Sequence, residues 1–390
     1  MLGFLLARAG VDVVVLEKHA DFFRDFRGDT IHPSTLVVMD ELGLLDDLLK
    51  VPHSQTSELT GRIGDTTLKM VDLRSVPGRC KFIAFMPQWD FLNFVVEKAR
   101  RFRGFHLRMN ADVTELIVDG GRVRGVLAQT PSGPLTVLAD LVVGCDGRHS
   151  TVRERAGFTV LDRGAPIDVL WFRLARHPSD PGQTFGNIAG GGILVAINRD
   201  EYYQCAFVIR KGGYDEIRAE GLEKFRQAVA RIAPFVADRV DQIKDWDDVK
   251  LLTVSIDHLK TWYRPGLLCI GDAAHAMSPV GGVGINLAIQ DAIATANILA
   301  PSLLVGEAPL DKLRAVQRRR ELPVALTQGL QVLIQKRVLS RVLSTENIES
   351  APAFMQWLFS IPLMRAIPAW VVGVGFRPEH VHTPDASGSG

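Results

Sequence analysis

The stretch Leu267–Ala300, LLCIGDAAHAMSPVGGVGINLAIQDAIATANILA, has three parts that decide the fold of the chain. The apolar run Leu267–Ile270 follows a Pro-Gly turn signal and predicts a short buried strand. A glycine-rich loop comes next, with Asp272 at its start. From Ile285 onward the apolar residues recur with helical spacing. The sequence therefore predicts a unit made of a strand, an acidic turn, a glycine-rich loop and a helix.

This unit carries chemical groups that suit binding. The unpaired N–H groups at the start of a helix attract anions and electron-rich ring edges. Glycines let a ligand approach the backbone closely, because no Cβ stands in the way. Asp272 can accept hydrogen bonds from sugar-like hydroxyls but would repel a phosphate. Glycine loops also join strands to helices without binding anything, so the loop alone leaves both interpretations open.

The string as a whole is more specific than a lone glycine pattern. GDAAHAMSPVGGVGINLAIQDA resembles the second flavin-binding motif of the class A FAD-dependent aromatic monooxygenases, the family of para-hydroxybenzoate hydroxylase. In that family the Asp binds the ribityl chain of the flavin, and the loop lies along the isoalloxazine ring. The resemblance implies that FAD is bound by Asp272 and by the loop residues Pro279, Gly281, Gly282, Gly284, Ile285 and Asn286.

Composition narrows the class of protein. With 390 residues and 47% hydrophobic content, the chain can bury a large core and is predicted to form two domains. The net charge of +1 does not indicate a nucleic-acid-binding surface. The four cysteines are far apart, which predicts buried reduced thiols in a cytoplasmic protein, without a metal or disulfide framework. No apolar run of about 18 residues occurs, so we expect no membrane insertion.

The N-terminal segment has the pattern of a dinucleotide-binding βαβ unit. Leu2–Ala9 predicts the end of a helix, and Val11–Glu17 predicts a buried strand that ends in an acid. Such an acid binds the ribose of the adenosine half, about 20 residues after a G-x-G-x-x-G turn. A G-x-G-x-x-G turn about 20 residues before Glu17 would fall before Met1, and Gly3 alone cannot supply this pattern. We therefore expect that the first strand and phosphate loop are missing, through an incomplete sequence or through a real loss of FAD binding.

Three further segments match the same family. The resemblance places Arg27 near the flavin's pyrophosphate and ribityl region, and Gln88 against the flavin. Asp146 and Gly147, after the predicted strand Leu135–Val143, match a motif that serves both FAD and the pyridine nucleotide. The competing interpretations are a solvated loop arginine for Arg27, a helix cap for Gln88 and an ordinary turn dipeptide for Asp146 and Gly147.

A β-rich region follows the Asp-Gly motif. Between Asp168 and Val208 short β-type runs alternate with Gly, Pro and Asp breaks, which predicts an inserted antiparallel sheet. The resemblance implies that this sheet forms the wall of the substrate pocket. Its candidate wall residues are Trp171, Arg173, Tyr202 and Tyr203, although each is more often a packing or surface residue.

The predicted fold class is α/β: a Rossmann-like FAD-binding domain, an inserted antiparallel β-sheet substrate domain and a C-terminal helical region. We expect a discontinuous FAD-binding domain at 1–165 and 250–305, with the substrate region at 60–85 and 166–250. Helices are expected over 306–380, with the basic cluster Arg318–Arg320 on a solvated face. The tail 381–390 is expected to be disordered.

The chemistry is expected to belong to a cofactor. No G-x-S-x-G or H-E-x-x-H pattern occurs, and the sequence identifies no catalytic base. The resemblance implies an FAD-dependent monooxygenase, and we expect a monomer or homodimer. Such an enzyme uses NADH or NADPH and O2 to hydroxylate a small aromatic or polyketide-like substrate through a flavin C4a-hydroperoxide. Two alternatives stay open: another flavin oxidoreductase, such as an epoxidase or halogenase, and a chain without bound FAD and without activity.

Overall fold

The computed structural model describes residues 1–23, 30–182, 185–189, 191–339 and 350–386. The helices are α1 Leu2–Arg8, α2 Pro33–Glu41, α3 Leu45–Leu48, α4 Gln88–Ala99, α5 Thr151–Arg155, α6 Tyr214–Glu220, α7 Leu222–Ile232, α8 Gly284–Leu303, α9 Leu310–Ile334, α10 Ala353–Ser360 and α11 Pro362–Gly373. The strands are β1 Val13–Leu16, β2 Thr30–Ile31, β3 Ser54–Thr56, β4 Glu58–Ile63, β5 Thr66–Asp72, β6 Ile83–Phe85, β7 Phe105–Arg108, β8 Asp112–Asp119, β9 Arg122–Thr130, β10 Gly133–Leu138, β11 Val142–Gly144, β12 Val160–Asp162, β13 Ile167–Ala175, β14 Phe185–Ala189, β15 Gly192–Asn198, β16 Tyr202–Arg210, β17 Lys250–Leu252, β18 Asp257–Leu259, β19 Tyr263–Arg264 and β20 Leu267–Cys269.

Helix α8 is the central helix of the molecule. One face, with Ile289 and Ile293, packs into a core shared with α1, α2 and α4. Another face, with Ala292 and Leu299, packs into a core shared with β20 and α9. The segment Val280–Leu303 is long and apolar enough to cross a membrane, but 67% of its apolar window is buried within the protein. A helix that is apolar on most sides is stable in water when neighbouring elements cover it, and this is the case here.

Close packing joins α1 to β1. A Cβ added to Gly3 would lie 2.7 Å from Val15 Cγ2, so glycine is what permits this approach. Strand β1 pairs in parallel with β7. The predicted strand was longer and fully buried, whereas Val14 is 46% exposed. The reason is the alternation of side chains, because Val13 and Val15 face α1 and Val14 points to the other side.

The predicted antiparallel sheet is confirmed as a seven-stranded sheet in the order β17-β13-β16-β15-β14-β4-β5, with one parallel pair between β14 and β4. On one face Phe172 packs edge-on against Phe225 of α7. Tyr203 lies on this same face and is fully buried, which agrees with the packing interpretation and not with a place in the pocket wall beside Tyr202. Neighbouring residues of a strand point to opposite faces, which separates these two tyrosines.

The segment predicted as one strand over Leu135–Val143 is two strands. Strand β10 pairs antiparallel with β9, and β11 pairs parallel with β20. The chain changes partner around Ala139, whose N–H donates to Arg124 O. The sequence Asp119-Gly120-Gly121 predicts a hairpin turn between strands over Val113–Val118 and Val123–Gln129. This hairpin is confirmed by the pairing of β8 with β9, and its turn places Gly120 and Gly121 at φ +54° and +76°.

The first part of the tail is ordered on the body of the protein, which differs from the expected disorder. The N–H of Val381 donates to Glu41 Oε2 at 2.9 Å, and Arg8 Nη1 donates to Thr383 O at 2.8 Å. An ion pair at 3.3 Å joins Arg8 to Asp385. These bonds satisfy backbone groups that a disordered tail would leave to water. Residues 387–390 lie outside the described part of the chain.

Candidate functional site

Two acids follow the carboxyl ends of neighbouring strands. Strands β11 and β20 are parallel, with Gly144 opposite Cys269, so Asp146 and Asp272 leave the sheet at the same edge. Gly271 has φ +59°, a conformation that turns the chain sharply just before Asp272. In open α/β sheets ligands bind beyond the carboxyl ends of the strands. This edge is therefore the place to look for a binding site.

The glycine loop presses against strand β2. Gly281 and Gly282 have φ +81° and +63°, which L side chains rarely adopt. A Cβ on Gly282 would lie 2.4 Å from Thr30 Oγ1, and that hydroxyl donates to Gly282 O at 3.0 Å. A Cβ on Gly281 would meet nothing closer than 3.6 Å. Gly282 thus allows the loop to contact β2, whereas Gly281 leaves its backbone uncovered, with space beside it.

Asn286 ties the start of α8 to the segment from β2 to α2. Its Oδ1 accepts hydrogen bonds from the His32 N–H at 3.0 Å and from Thr35 Oγ1 at 2.8 Å. Its Nδ2 donates to Thr30 O at 3.1 Å. The side chain is buried and is used within the protein. The groups of Asn286 and Ile285 that remain for a ligand are the backbone N–H groups of the first turn of α8.

Asp146 has a structural role in the described chain. Its carboxylate accepts from Ser150 Oγ and, at 3.0 Å, from the N–H of Val152 in the first turn of α5. Ser150 in turn caps this helix by accepting from Arg153 N. Gly147 has φ +84°, and a Cβ there would meet no atom within 4 Å. The Asp-Gly turn therefore stabilises α5 and keeps an open side.

The remaining predicted site residues lie in different places. Gln88 begins α4, with two residues between it and the end of β6, and β6 pairs with β2 beside the glycine loop. Glu17 follows β1, in a sheet separate from β11 and β20, and its carboxylate accepts from the N–H of His19. Arg27 lies outside the described residues.

Below the Gly271–Asp272 turn lies a buried charge cluster that the sequence interpretation missed. Asp291 of α8 is 0% exposed, and Arg320 of α9 is 1% exposed. Asp291 Oδ1 accepts from Arg320 Nε at 2.9 Å, and Oδ2 accepts from Gly271 N at 3.0 Å. His275 Nε2 lies 2.5 Å from the same Oδ2. Asp291 therefore connects the turn before Asp272 to helices α8 and α9.

Burial opposes the charged form of Asp291, but His275 and Arg320 outweigh it, so the pKa of this carboxyl lies below its usual range. Arg320 Nη1 also bonds Glu379 Oε1 at 3.2 Å. The prediction that the whole basic cluster Arg318–Arg320 is solvated is wrong for Arg320, because a buried acid on α8 faces it. The sequence feature that could have revealed this buried cluster is the acid Asp291, which lies within the apolar helical pattern around Ile289 and Ile293.

These features fit a flavin. The bare backbone at Gly281 and the first-turn amides of α8 suit a flat ring with electron-rich edges, and Asp272 suits hydroxyl groups. Within the described ranges, no group of three His, Cys, Asp or Glu side chains could hold a metal ion.

Comparison with known proteins agrees with this geometry. The family model described as an FAD binding domain matches residues 1–328. The 6-methylpretetramide 4-monooxygenase of Streptomyces rimosus is 32% identical, over 87% of this chain and 81% of that enzyme. The dialkyldecalin synthase of Streptomyces rugosporus is 25% identical, over 75% of this chain and 61% of its own length. A solved structure of P. aeruginosa PqsL in complex with 2-aminobenzoylacetate has the same fold, with a TM-score of 0.73, 23% identity, and coverage of 88% of this chain and 93% of that one.

Proposed function

This chain belongs to the family of class A FAD-dependent aromatic and polyketide monooxygenases, and from that premise we propose that it hydroxylates a small aromatic or polyketide-like substrate. The reaction transfers one oxygen atom of O2 to a ring carbon. The other atom leaves as water, with two electrons supplied by NADH or NADPH. The observation that supports this best is the glycine loop, which places bare backbone and the first turn of α8 beside β2. Oligomeric state and cytoplasmic location stay predictions.

FAD, when bound, would supply the redox chemistry, which is hydride acceptance from the pyridine nucleotide and electron transfer to O2. The residues of this chain orient the cofactor. The N–H groups of Gly284, Ile285 and Asn286 point out of the start of α8, where the helix dipole is positive, and stabilise an electron-rich ring edge. Asp272 would hold the ribityl chain by accepting hydrogen bonds from its hydroxyls. Asp291 acts behind it as a positioning residue, because it fixes Gly271 N.

The substrate is proposed to lie against the sheet face that carries Trp171, Arg173 and Tyr202. These residues share one face by strand alternation and register. The Arg173 guanidinium lies 5.2 Å from the centre of the Tyr202 ring. A cationic group held over an aromatic ring, next to an indole, suits a flat aromatic molecule with oxygen substituents. The 6-methylpretetramide named for the related enzyme and the 2-aminobenzoylacetate bound to PqsL agree with such a substrate class.

The test of the proposed function is an isotope experiment. Protein loaded with FAD is mixed with NADH or NADPH, 18O2 and a panel of phenols and fused-ring phenols. The masses of the products are then measured by mass spectrometry. We expect one 18O atom in the product and one NAD(P)H consumed for each product formed. Oxygen that comes from water, product formed without NAD(P)H, or a halide in the product would overturn the proposal in favour of other chemistry on this fold.

FAD binding is measured separately, by fluorescence quenching in a titration with the cofactor. The matched pair of variants is Asp272→Ala and Asp65→Ala, because Asp65 is an exposed acid far from the motif in sequence, with a side chain that is 95% exposed. We expect at least tenfold weaker FAD binding for Asp272→Ala and no change for Asp65→Ala. Equal binding by both variants would remove Asp272 from the flavin site.

A further inference from the structure

Helix α9 and the turn that follows it carry four glutamines that are each 9% exposed or less. They are Gln317, Gln328, Gln331 and Gln335. Burying an amide is costly unless it is hydrogen-bonded, and apolar residues usually occupy such positions. All four side chains donate hydrogen bonds to the segment 257–280, which leads into the glycine loop. The glutamines therefore fix the position of this segment from behind.

Gln331 holds the residues directly before the two glycines of the loop. Its Oε1 accepts from the N–H of Ser278 at 3.1 Å, and its Nε2 donates to Ser278 O and to Val280 O, each at 3.0 Å. Gln335 Nε2 donates to the hydroxyl of Ser278, which also accepts from the N–H of Val280 at 3.3 Å. One side chain of α9 thus engages three backbone groups within three residues of the loop.

This clamped segment lies between the sheet and the place proposed for the flavin. The side chain of Val280 packs against Ile167 and Val208. By strand alternation and register these two residues share the sheet face of Trp171, which is the face proposed to bind the substrate. Directly after Val280, Gly281 leaves its backbone uncovered on the side proposed for the flavin ring. The position of this segment therefore sets how far the flavin lies from the substrate wall.

We infer that Gln331 is a positioning residue for the flavin, because it fixes the backbone of Ser278 and Val280 between the cofactor and the sheet. This inference rests on the proposed flavin site beside the glycine loop. An amide suits the task, since it accepts from one N–H group and donates to two carbonyl oxygens at the same time. A carboxylate would be repelled by both carbonyl oxygens, and an apolar side chain would leave the three backbone groups without these bonds.

The test compares Gln331→Met with Gln317→Met, by FAD titration and by visible circular dichroism of the bound FAD. Gln317 is a matched control, because it is also buried on α9 and bonds one N–H group and one carbonyl, at Trp262 and Lys260. We expect Gln331→Met to bind FAD at least tenfold more weakly, the effect of about one or two hydrogen bonds, and to change the flavin spectrum. Gln317→Met should leave both unchanged.

Gln335→Met is a milder change of the same kind, since it removes the bond to the hydroxyl of Ser278 and leaves the Gln331 clamp in place. It should weaken FAD binding about threefold. Far-ultraviolet circular dichroism confirms that each variant folds. Equal FAD affinity and equal flavin spectra for Gln331→Met and Gln317→Met would overturn this inference alone. Absence of FAD binding by the wild-type protein would overturn the proposed function together with it, so the two failures are distinguishable.

Discussion

Removing the charge of Asp291 should destabilise the protein more than any surface substitution. In Asp291→Asn the amide can still accept from Gly271 N, but the Arg320 guanidinium keeps only one of its two carboxylate partners, Glu379, while it remains 1% exposed. Breaking a buried pair by removing one partner costs about 3–5 kcal/mol. This is a large part of the roughly 5–15 kcal/mol that stabilises a typical protein.

The assay is urea denaturation followed by circular dichroism at pH 7, with FAD at a fixed saturating concentration. The matched control is Asp65→Asn, which removes a surface ion pair with Arg62 in which the Asp65 side chain is 95% exposed. Such pairs contribute about 0–1 kcal/mol. A loss of less than about 1 kcal/mol for Asp291→Asn, similar to that of the control, would refute the assignment of a buried and ionised Asp291.

A double-variant cycle with Arg320→Gln isolates the pair. If the two charges depend on each other, the double variant should cost less than the sum of the single variants by more than about 1 kcal/mol. Strict additivity would show that the two residues act independently. Because Asp291 also fixes Gly271 N, we expect Asp291→Asn to bind FAD more weakly, whereas Asp65→Asn should bind it normally.

Three further outcomes follow from the geometry. Burial lowers the pKa of His32 to about 4, so between about pH 6.5 and pH 4 the unfolded chain takes up a proton at this residue and the folded chain does not. The free energy of unfolding should therefore fall by up to about 3 kcal/mol as the pH is lowered from 6.5 to 4. In urea titrations, His32→Gln should reduce this dependence of stability on pH. Gly282→Ala should cost more stability than Gly281→Ala, since both have positive φ but only the first places a Cβ on Thr30 Oγ1; equal melting temperatures would contradict the overlap. Asp146→Ala should lose about 1 kcal/mol through the cap of α5, and a thermal melt that matches the wild type would reject that role.

Elements that depend on a local residue pattern could be predicted from the amino-acid sequence. The apolar spacing from Ile285 onward predicted α8, the Asp119-Gly120-Gly121 turn predicted its hairpin, and the alternating runs after Asp168 predicted an antiparallel sheet. Helical and strand periodicities are set by neighbours three, four or two residues apart, so they can be read directly from the chain. The family was also accessible, because the motif from Gly271 to Ala292 combines many residues at fixed spacing.

The identity of the buried polar residues and of their partners could not be predicted in this way, because it depends on tertiary contacts. Arg320 belongs to a basic run in the sequence, and it is buried because Asp291, 29 residues earlier, faces it from another helix. Asn286 bonds the backbone and side chains of residues more than 250 positions away, and Tyr203 is buried because α7 covers its face of the sheet. Periodicity in the sequence shows on which face of its helix or strand a residue lies. The charged and apolar side chains that pack against that face belong to elements distant in the chain.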